Sequence, residues 1–330
     1  MSYKHLSLTE RHYIEIERKG GATMGEIARK LNKNQSTISR EISRNTGKRG
    51  YRHMQAQRFT KERHQEKRKS VKLTPELKQI VMNYLLLDYS PEQIAGRLKS
   101  EGQRYVHHET IYQYILTDKK QGGTLYTHLR HQNKTYRKRY GSAHNRNGIK
   151  DRVDIDERPE VANKRMRVGD WELDTIIGKN HKGAIVTMDD RKTKLRLAYP
   201  LPGKRAQGVK EAMIKMLHPI KSWVNTTTYD NGKEFALHKE VSKALDCDAY
   251  FCKPYHSWER GQNENANGLL RQYFPKSMEL IDVSVSEVFE AVDKLNSRPR
   301  KCLDFKTPYE VFEELTGIST KNLKSYALMT

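Results

Sequence analysis

Residues 169–201 read GDWELDTIIGKNHKGAIVTMDDRKTKLRLAYPL. Three runs, GDWELDTIIG, GAIVTMDD and LRLAYPL, have strand composition and are joined by short polar turns. Downstream, AQGVKEAMIKMLHPI is an amphipathic helix, WVNTTTYDNG a fourth strand and ALHKEVSKAL a second helix. DAYFCKPY is a fifth strand and QNENANGLLRQYF a third helix. This order implies a mixed five-stranded sheet with helices packed on it. The passage from an early strand through a helix to the fourth should make that pair parallel. Two helices close the region: SVSEVFEAVDKLN, boxed by Ser284 and Glu287, and TPYEVFEEL, boxed by Thr307 and Glu310 with Pro308 at its first position.

The sequence before residue 150 has another texture. Ser7 and Glu10 in SLTE, then Thr23 and Glu26 in TMGE, form capping boxes that open two helices, the first ending at Gly20-Gly21. A turn, NKNQ, leads to STISREISRN. Ile27, Ala28, Ile38 and Ile42 would meet inside, leaving Ser36, Thr37, Ser39, Arg40 and Arg44 outward. That is a helix-turn-helix whose second helix could enter a major groove; an ordinary helical hairpin is the plainer alternative. The pattern recurs after the helix TPELKQIVMNYLLLD. SPEQIAGRLKSEG has Ser90 as N-cap, Pro91 at the first position and Gln93 completing the box; HHETIYQYIL buries Ile111, Tyr114 and Ile115 and turns Glu109, Thr110 and Gln113 away. A helical spacer or dimerisation element competes with a second DNA reader there. MQAQRFTKERHQEKRKS is a charged helix or a solvated linker. RHQNKTYRKRYGSAHNRNGIKDR lacks apolar periodicity and mixes Tyr with Arg137, Lys138 and Arg139, a stretch that could track phosphates.

The net charge of +22 is unevenly spread: residues 1–150 hold 32 Lys and Arg against 13 Asp and Glu, whereas 151–330 hold 30 against 27. The basic half has the footprint of a polyanion binder. Mean hydropathy is −0.91, no apolar run approaches membrane-spanning length, and MSYKHLSLTE lacks the apolar stretch of a signal peptide. Three cysteines give no disulfide framework, and a cytoplasmic location is expected. The expected organisation is a helix-turn-helix domain over 1–50, a charged linker helix over 51–71 and a second helix-turn-helix over 72–129. A basic linker over 130–158, an α/β core with C-terminal helices over 159–317 and a tail over 318–330 follow.

Asp174 sits in the first strand, Asp230 closes the fourth and Glu264 begins the third helix. Adjacent parallel strands would set the two aspartates side by side, and the helix could bring Glu264 over them. Three such carboxylates repel unless cations neutralise them, and hard divalent ions, Mg2+ or Mn2+, suit oxygen ligands. Two such ions could serve phosphodiester chemistry. Each residue has a plainer alternative: Asp-Asn-Gly is a common hairpin turn, and Asp174 could be a hydrogen-bonded strand residue. Asp170 and Glu172 share its face and rival it. Asp189 and Asp190, near a turn, are expected to be solvated. Glu259 is expected to bond locally in a loop.

WELDTIIG, YDNGKEF, SWERGQNENANGLLRQYFPK and LNSRPRKCLDFKTPYEVF together resemble the DDE transposases of the insertion-sequence-thirty family, and the resemblance extends over nearly the whole chain. It implies an α/β ribonuclease-H-like catalytic core preceded by all-α helix-turn-helix DNA-binding domains, and a metal-dependent triad at Asp174, Asp230 and Glu264. Between the last two lie 33 residues, as in that family. Leu173 departs from the family's more frequent Gly; on the opposite strand face from Asp174, it should alter packing and cost no ligand. The resemblance also suggests circular intermediates with abutted ends. Asn231, Asn263 and Asn267 then read as site supports and Gly268 as a point of close approach. Arg271, seven residues past Glu264 and about 10 Å along the same helix face, could hold a phosphate or terminal base; a plain surface charge is the alternative.

Cys247, Cys252 and His256 have a zinc-like spacing but no fourth ligand nearby, so buried thiols are expected. Tyr255, His256 and Trp258 could shape a DNA channel or pack beneath the helix. Arg298, Pro299 and Arg300 could contact phosphate or cap a helix. The expected activity is that of a transposase which binds terminal inverted repeats, cleaves DNA and transfers strands as at least a homodimer on double-stranded DNA. A nuclease without strand transfer and a regulator with a dead core are the alternatives.

Overall fold

Capping chemistry sets the helices of the N-terminal part. In the computed structural model, which describes residues 5–66, 72–130, 149, 151–253 and 261–319, Ser7 and Glu10 bond reciprocally at the start of α1 (Leu8–Lys19), and Thr23 and Glu26 do so at α2 (Met24–Lys30). Asn34 caps α3 (Gln35–Asn45). A two-residue ribbon, β1 (Thr46–Gly47) with β2 (Gly50–Tyr51), leads into α4 (His53–Glu66). Ile14, Ile27, Ala28, Ile38 and Ile42 meet in one core, as the apolar spacing requires. The charged stretch after residue 51 is no solvated linker: α4 buries Ala56 completely, and its Gln57 and Thr60 accept hydrogen bonds from the buried Arg11 of α1. The chain divides into two compact units, Met1–Lys72 and Leu73–Thr330.

The second unit opens with α5 (Pro75–Leu86), α6 (Pro91–Ser100) and α7 (His108–Lys120). Ser90 and Gln93 form the expected box, and Ile94, Leu98, Ile111 and Ile115 pack together. These helices dock on the α/β core through polar contacts. Tyr89 donates to the Ser297 carbonyl at 2.6 Å, Arg97 grips Glu310 with two 2.7 Å bonds, and Asp88 joins His128 to Tyr273, each at 2.9 Å.

After the short α8 (Glu160–Asn163) come β3 (Asp170–Ile177), β4 (Ala184–Asp190), β5 (Arg196–Leu201), α9 (Ala206–Leu217), β6 (Thr226–Tyr229), α10 (His238–Leu245) and β7 (Asp248–Phe251). The sheet order is β5-β4-β3-β6-β7, with β5, β4 and β3 antiparallel and β3, β6 and β7 parallel. The expected parallel pairing of the first and fourth strands is present. Alternation gives the sheet two unlike faces. One carries Trp171, Leu173, Val186, Met188 and Tyr229 and packs on α9 and α10. The other carries Asp170, Glu172, Asp174, Thr187, Asp189, Arg196, Thr226 and Thr228, and gives way to an apolar patch around Ile176, Ile185 and Ala198. That patch packs under α11 (Gly261–Leu270) and α12 (Val285–Asn296); α13 (Pro308–Thr316) contributes Tyr309 and Phe312 to the first face. Leu173 is fully buried there, away from Asp174.

Candidate active site

Asp174 is half-buried in the middle of β3, two residues past the last paired position of β3 with β6. Its Oδ1 accepts from the backbone N–H of Thr175 at 2.8 Å. The parallel register matches Asp170 with Thr226 and Glu172 with Thr228; continued by two residues it sets Asp230 beside Asp174. Asp230 follows the last residue of β6, and its Oδ1 accepts from Gly232 N–H at 2.8 Å, so Asp-Asn-Gly does turn. It forms no hairpin, because the next strand, β7, is parallel to β6. A Cβ on Gly232 would lie 2.8 Å from Asp230 Oδ1 and 2.5 Å from Glu234 Oε2, so the glycine lets two carboxylates approach one point. Glu234, which also accepts from Thr175 Oγ1 at 3.1 Å, was not anticipated from the sequence; its place four residues after Asp230 was the available signal.

The helix α11 brings Asn267 against Asp174: its Nδ2 donates to Asp174 Oδ2 at 2.9 Å. The Asn267 Oδ1 accepts from Thr187 at 3.1 Å and from Arg196 at 3.0 Å. Glu264, exposed in the first turn of α11, precedes Asn267 by three residues and so shares its helix face. Among the described residues no three His, Cys, Asp or Glu side chains are close enough together to hold a metal ion. The register continued past β6 thus sets Asp230 beside Asp174, and Glu264 lies one helical turn before the Asn267 that bonds Asp174, without all three gathering about a single point. The donor set is entirely carboxylate oxygen, which suits hard divalent cations.

The polar stripe behind Asp174 explains why its rivals are occupied. Glu172 is buried against Arg191, and Asp170 is fully buried between Arg167 and Thr226, the latter at 2.8 Å. Burial pushes the Glu172 carboxyl up, with Arg191 opposing. Asp189 and Asp190 correct the expectation of solvated turn residues. Asp189 is 2% exposed and pairs with Arg196 through bonds of 2.8 and 2.6 Å. Asp190 is fully buried and ties Gly169 N–H at 2.8 Å to Thr193 N–H at 2.7 Å; burial raises its pKa. Glu172 and Asp189 are direct cross-strand neighbours, an arrangement of like charges tolerated because each has its own arginine. The Arg196 side chain also donates to the Ala266 carbonyl at 2.9 Å, while its backbone N–H and carbonyl bond the Asn296 side-chain amide, so this one residue fastens β5, β4, α11 and α12.

The remaining site residues fall as follows. Asn263 is completely buried, and both its amide atoms are without a hydrogen-bond partner among the described residues. Asn231 donates to the Cys252 carbonyl at 2.7 Å and accepts from Arg152. Arg271 spends two donors on carbonyls, Ile177 at 2.9 Å and Phe274 at 3.3 Å, and burial lowers its pKa. At Gly268 the close approach is made by the Arg130 guanidinium, 2.6 Å from where a Cβ would stand. Arg298 is buried and bonds Tyr273 and Gln272, fastening the turn that follows α11. Cys252 is buried and Cys247 partly so, its thiol pushed up to about 11 by burial. Tyr255, His256, Trp258, Glu259, Arg137, Lys138 and Arg139 lie outside the described residues.

In the first unit Ser36, Arg40 and Arg44 are exposed on α3, with Thr37 and Ser39 half-buried. Arg40 donates to Ser36 Oγ at 2.9 Å. Thr37, Arg40 and Arg44 line a groove of about 280 Å³ with Arg63, His64 and the Arg11–Glu41 ion pair, beside the expected reading helix. On α7, Gln113 is exposed and bonded to Glu109 at 3.1 Å, and Thr110 is half-buried. Among the described residues no helix is long and apolar enough to cross a membrane.

A three-helix domain followed in the chain by a mixed sheet in the order β5-β4-β3-β6-β7, with aspartates on the adjoining parallel strand β3 and just after β6, defines the class: a DNA-binding protein with a ribonuclease-H-like core. A helix-turn-helix domain model matches residues 2–45. The chain is 44% identical to the transposase for insertion sequence element IS4351 from Bacteroides fragilis, over 94% of this chain and 96% of that protein. It is 33% identical to the transposase InsI for insertion sequence element IS30A from Escherichia coli K12, over 94% and 83%. Among solved structures it is similar to the catalytic core domain of BIV integrase: 23% identity, 44% of this chain, 93% of that one, TM-score 0.34. The chain belongs to the IS30 family of transposases.

Proposed function

We propose that this protein binds the terminal inverted repeats of its own element, cuts the DNA there and joins the freed 3′-hydroxyl to a target strand, working as a homodimer or larger homo-oligomer. Asp174, Asp230 and Glu264 would hold two divalent cations, Mg2+ or Mn2+, which when bound stabilise the attacking and leaving oxygens of an in-line displacement at phosphorus. The two DNA steps are both such displacements, so one set of carboxylates serves them in turn. Asn267 orients Asp174 by donating to its Oδ2 and keeps the Glu264 face of α11 toward that aspartate. Ser36, Thr37, Ser39, Arg40 and Arg44 read the ends from a major groove. Thr110 and Gln113 on α7 and Arg137, Lys138 and Arg139 add contacts along the duplex, and Arg271 offers its unspent donors to a phosphate.

The observation that supports this reading best is the β3–β6 register, which continued by two residues sets Asp230 beside Asp174, itself bonded by Asn267 of the helix that bears Glu264. The test is incubation of the purified chain and Mg2+ with a labelled element-end duplex. Joined products support the transposase; cut products alone favour a nuclease, and a mobility shift alone a regulator. Asp230→Asn is expected to abolish cutting and leave end binding within a few-fold. Binding lost along with cutting would make Asp230 a structural residue.

A further inference from the structure

Turning by 100° per residue, α11 has two opposite working faces. Glu264, Asn267 and Arg271 lie on one. Gln262, Asn265, Ala266 and Leu269 lie on the other and line a cavity of about 270 Å³. Its remaining walls carry four cations, Arg165, Lys194, Arg196 and Arg300, and one carboxylate, Asp189. Asp189 has both oxygens bonded to Arg196, at 2.8 and 2.6 Å. Lys194 and Arg300 donate to neutral oxygens. Lys194 Nζ donates to Gln262 Oε1 at 2.6 Å and to the Arg191 carbonyl, and Arg300 donates to the Leu295 carbonyl at 2.8 Å. Burial, then the Arg165 charge, pushes Lys194 down to about 8; burial, then Arg298 and Arg196, pushes Arg300 down to about 10. Cations crowded behind a helix with neutral partners are held at a cost that a bound anion offsets. Arg165 and Lys194 are both left-handed, at φ 55° and 63°, a backbone region uncommon for such residues.

We propose that this cavity is a phosphate-binding site, built from Arg165, Lys194 and Arg300 and separate from the carboxylate end of the sheet. A tetrahedral oxyanion accepts from the forked guanidinium donors and the point charge of Lys194 together. Leu269 and Leu295 give the cavity an apolar wall against which an attached sugar packs. The phosphate is either one of a DNA backbone or a free phosphate group. Phosphate binding here does not require that strands be cut or joined, so the binding test below stands or falls apart from the proposed reaction.

The full chain, Lys194→Met and Arg165→Asn are compared; Arg165 is exposed, and Asn tolerates the left-handed backbone, so the second variant keeps the test alive if the first misfolds. Two quantities are read: the change in Tm with inorganic phosphate at constant ionic strength, and the salt dependence of binding to a random-sequence duplex. A Tm rise of about 2 °C or more in the wild type, lost in the variants, assigns the site to free phosphate. No such rise, with a salt slope smaller by about one in each variant, assigns it to a DNA phosphate. Equal slopes together with either no rise or a rise kept in both variants overturn the proposal.

Discussion

Asn267→Ala removes the one amide that joins α11 to both Asp174 and the buried stripe. The wild-type side chain makes three hydrogen bonds, to Asp174 at 2.9 Å, from Thr187 at 3.1 Å and from Arg196 at 3.0 Å. A neutral bond contributes about 1 kcal/mol and one to a charged group about 1.5–3 kcal/mol, so full loss would cost about 4–7 kcal/mol. Thr187 keeps the Asp174 carbonyl at 3.3 Å, and Arg196 keeps Asp189 and Ala266. The expected destabilisation is therefore nearer 2–3 kcal/mol, read as a lower urea midpoint with an unchanged slope. A helix freed to shift by about 1 Å costs about 100-fold in rate, so Mg2+-dependent end cleavage should fall about that far while duplex binding stays within about three-fold. Thr187→Val in the same background should show coupling of about 1 kcal/mol with Asn267→Ala. Cleavage at the wild-type rate with an unmoved urea midpoint would refute the view that this amide holds α11 in its working place.

Three other outcomes are expected. Asp189→Ala leaves the Arg196 guanidinium buried without its carboxylate and should destabilise the second unit by about 3–5 kcal/mol, measured by urea unfolding. Arg40→Ala, on the exposed face of α3, should weaken end binding and lower the salt slope by about one, with cleavage of already saturated ends little changed. Lys194 is depressed in the fold, from 10.5 to about 8. Between those values the unfolded chain binds the proton and the folded one does not, so stability rises with pH. The gain is at most about 3 kcal/mol and should be absent from Lys194→Met in denaturation series from pH 7 to 10.5.

What the sequence disclosed was largely what is decided within a few residues. The boxes at Ser7, Thr23, Ser90, Ser284 and Thr307 all form, because each is closed by a residue three places on. The parallel pairing of β3 with β6 followed from the handedness of crossovers, and it located Asp174 relative to Asp230. Burial of polar groups was the part that did not show. Asp189 and Asp190 sit at the end of β4 beside a turn, where solvent is the ordinary expectation. Asp189 is covered because its partner Arg196 is fastened by Ala266 of α11 and Asn296 of α12, from about 70 to 100 residues later; Asp190, on the other face, is closed in by the N–H groups of Gly169 and Thr193. The packed state of α4 was hidden for a related reason: it joins its neighbours mainly through Gln57, Thr60 and Arg63, which in a sequence look like solvated surface. The docking of α5–α7 on the core rests on Asp88, Tyr89 and Arg97, and no apolar periodicity signals such contacts.

The unlike faces of the sheet carry a consequence for descent. Along β3, Trp171 and Leu173 look into an aliphatic and aromatic interior, where swaps that conserve volume cost under about 1.5 kcal/mol. Glu172, one position away, is matched to Arg191, and the neighbouring strand's Asp189 to Arg196. Loss of one member strands the other's charge. Lineages of this transposase are therefore expected to drift freely at alternate positions of a single strand and to change the intervening ones only in concert, so that substitutions at 172 and 191, or at 189 and 196, arrive as pairs.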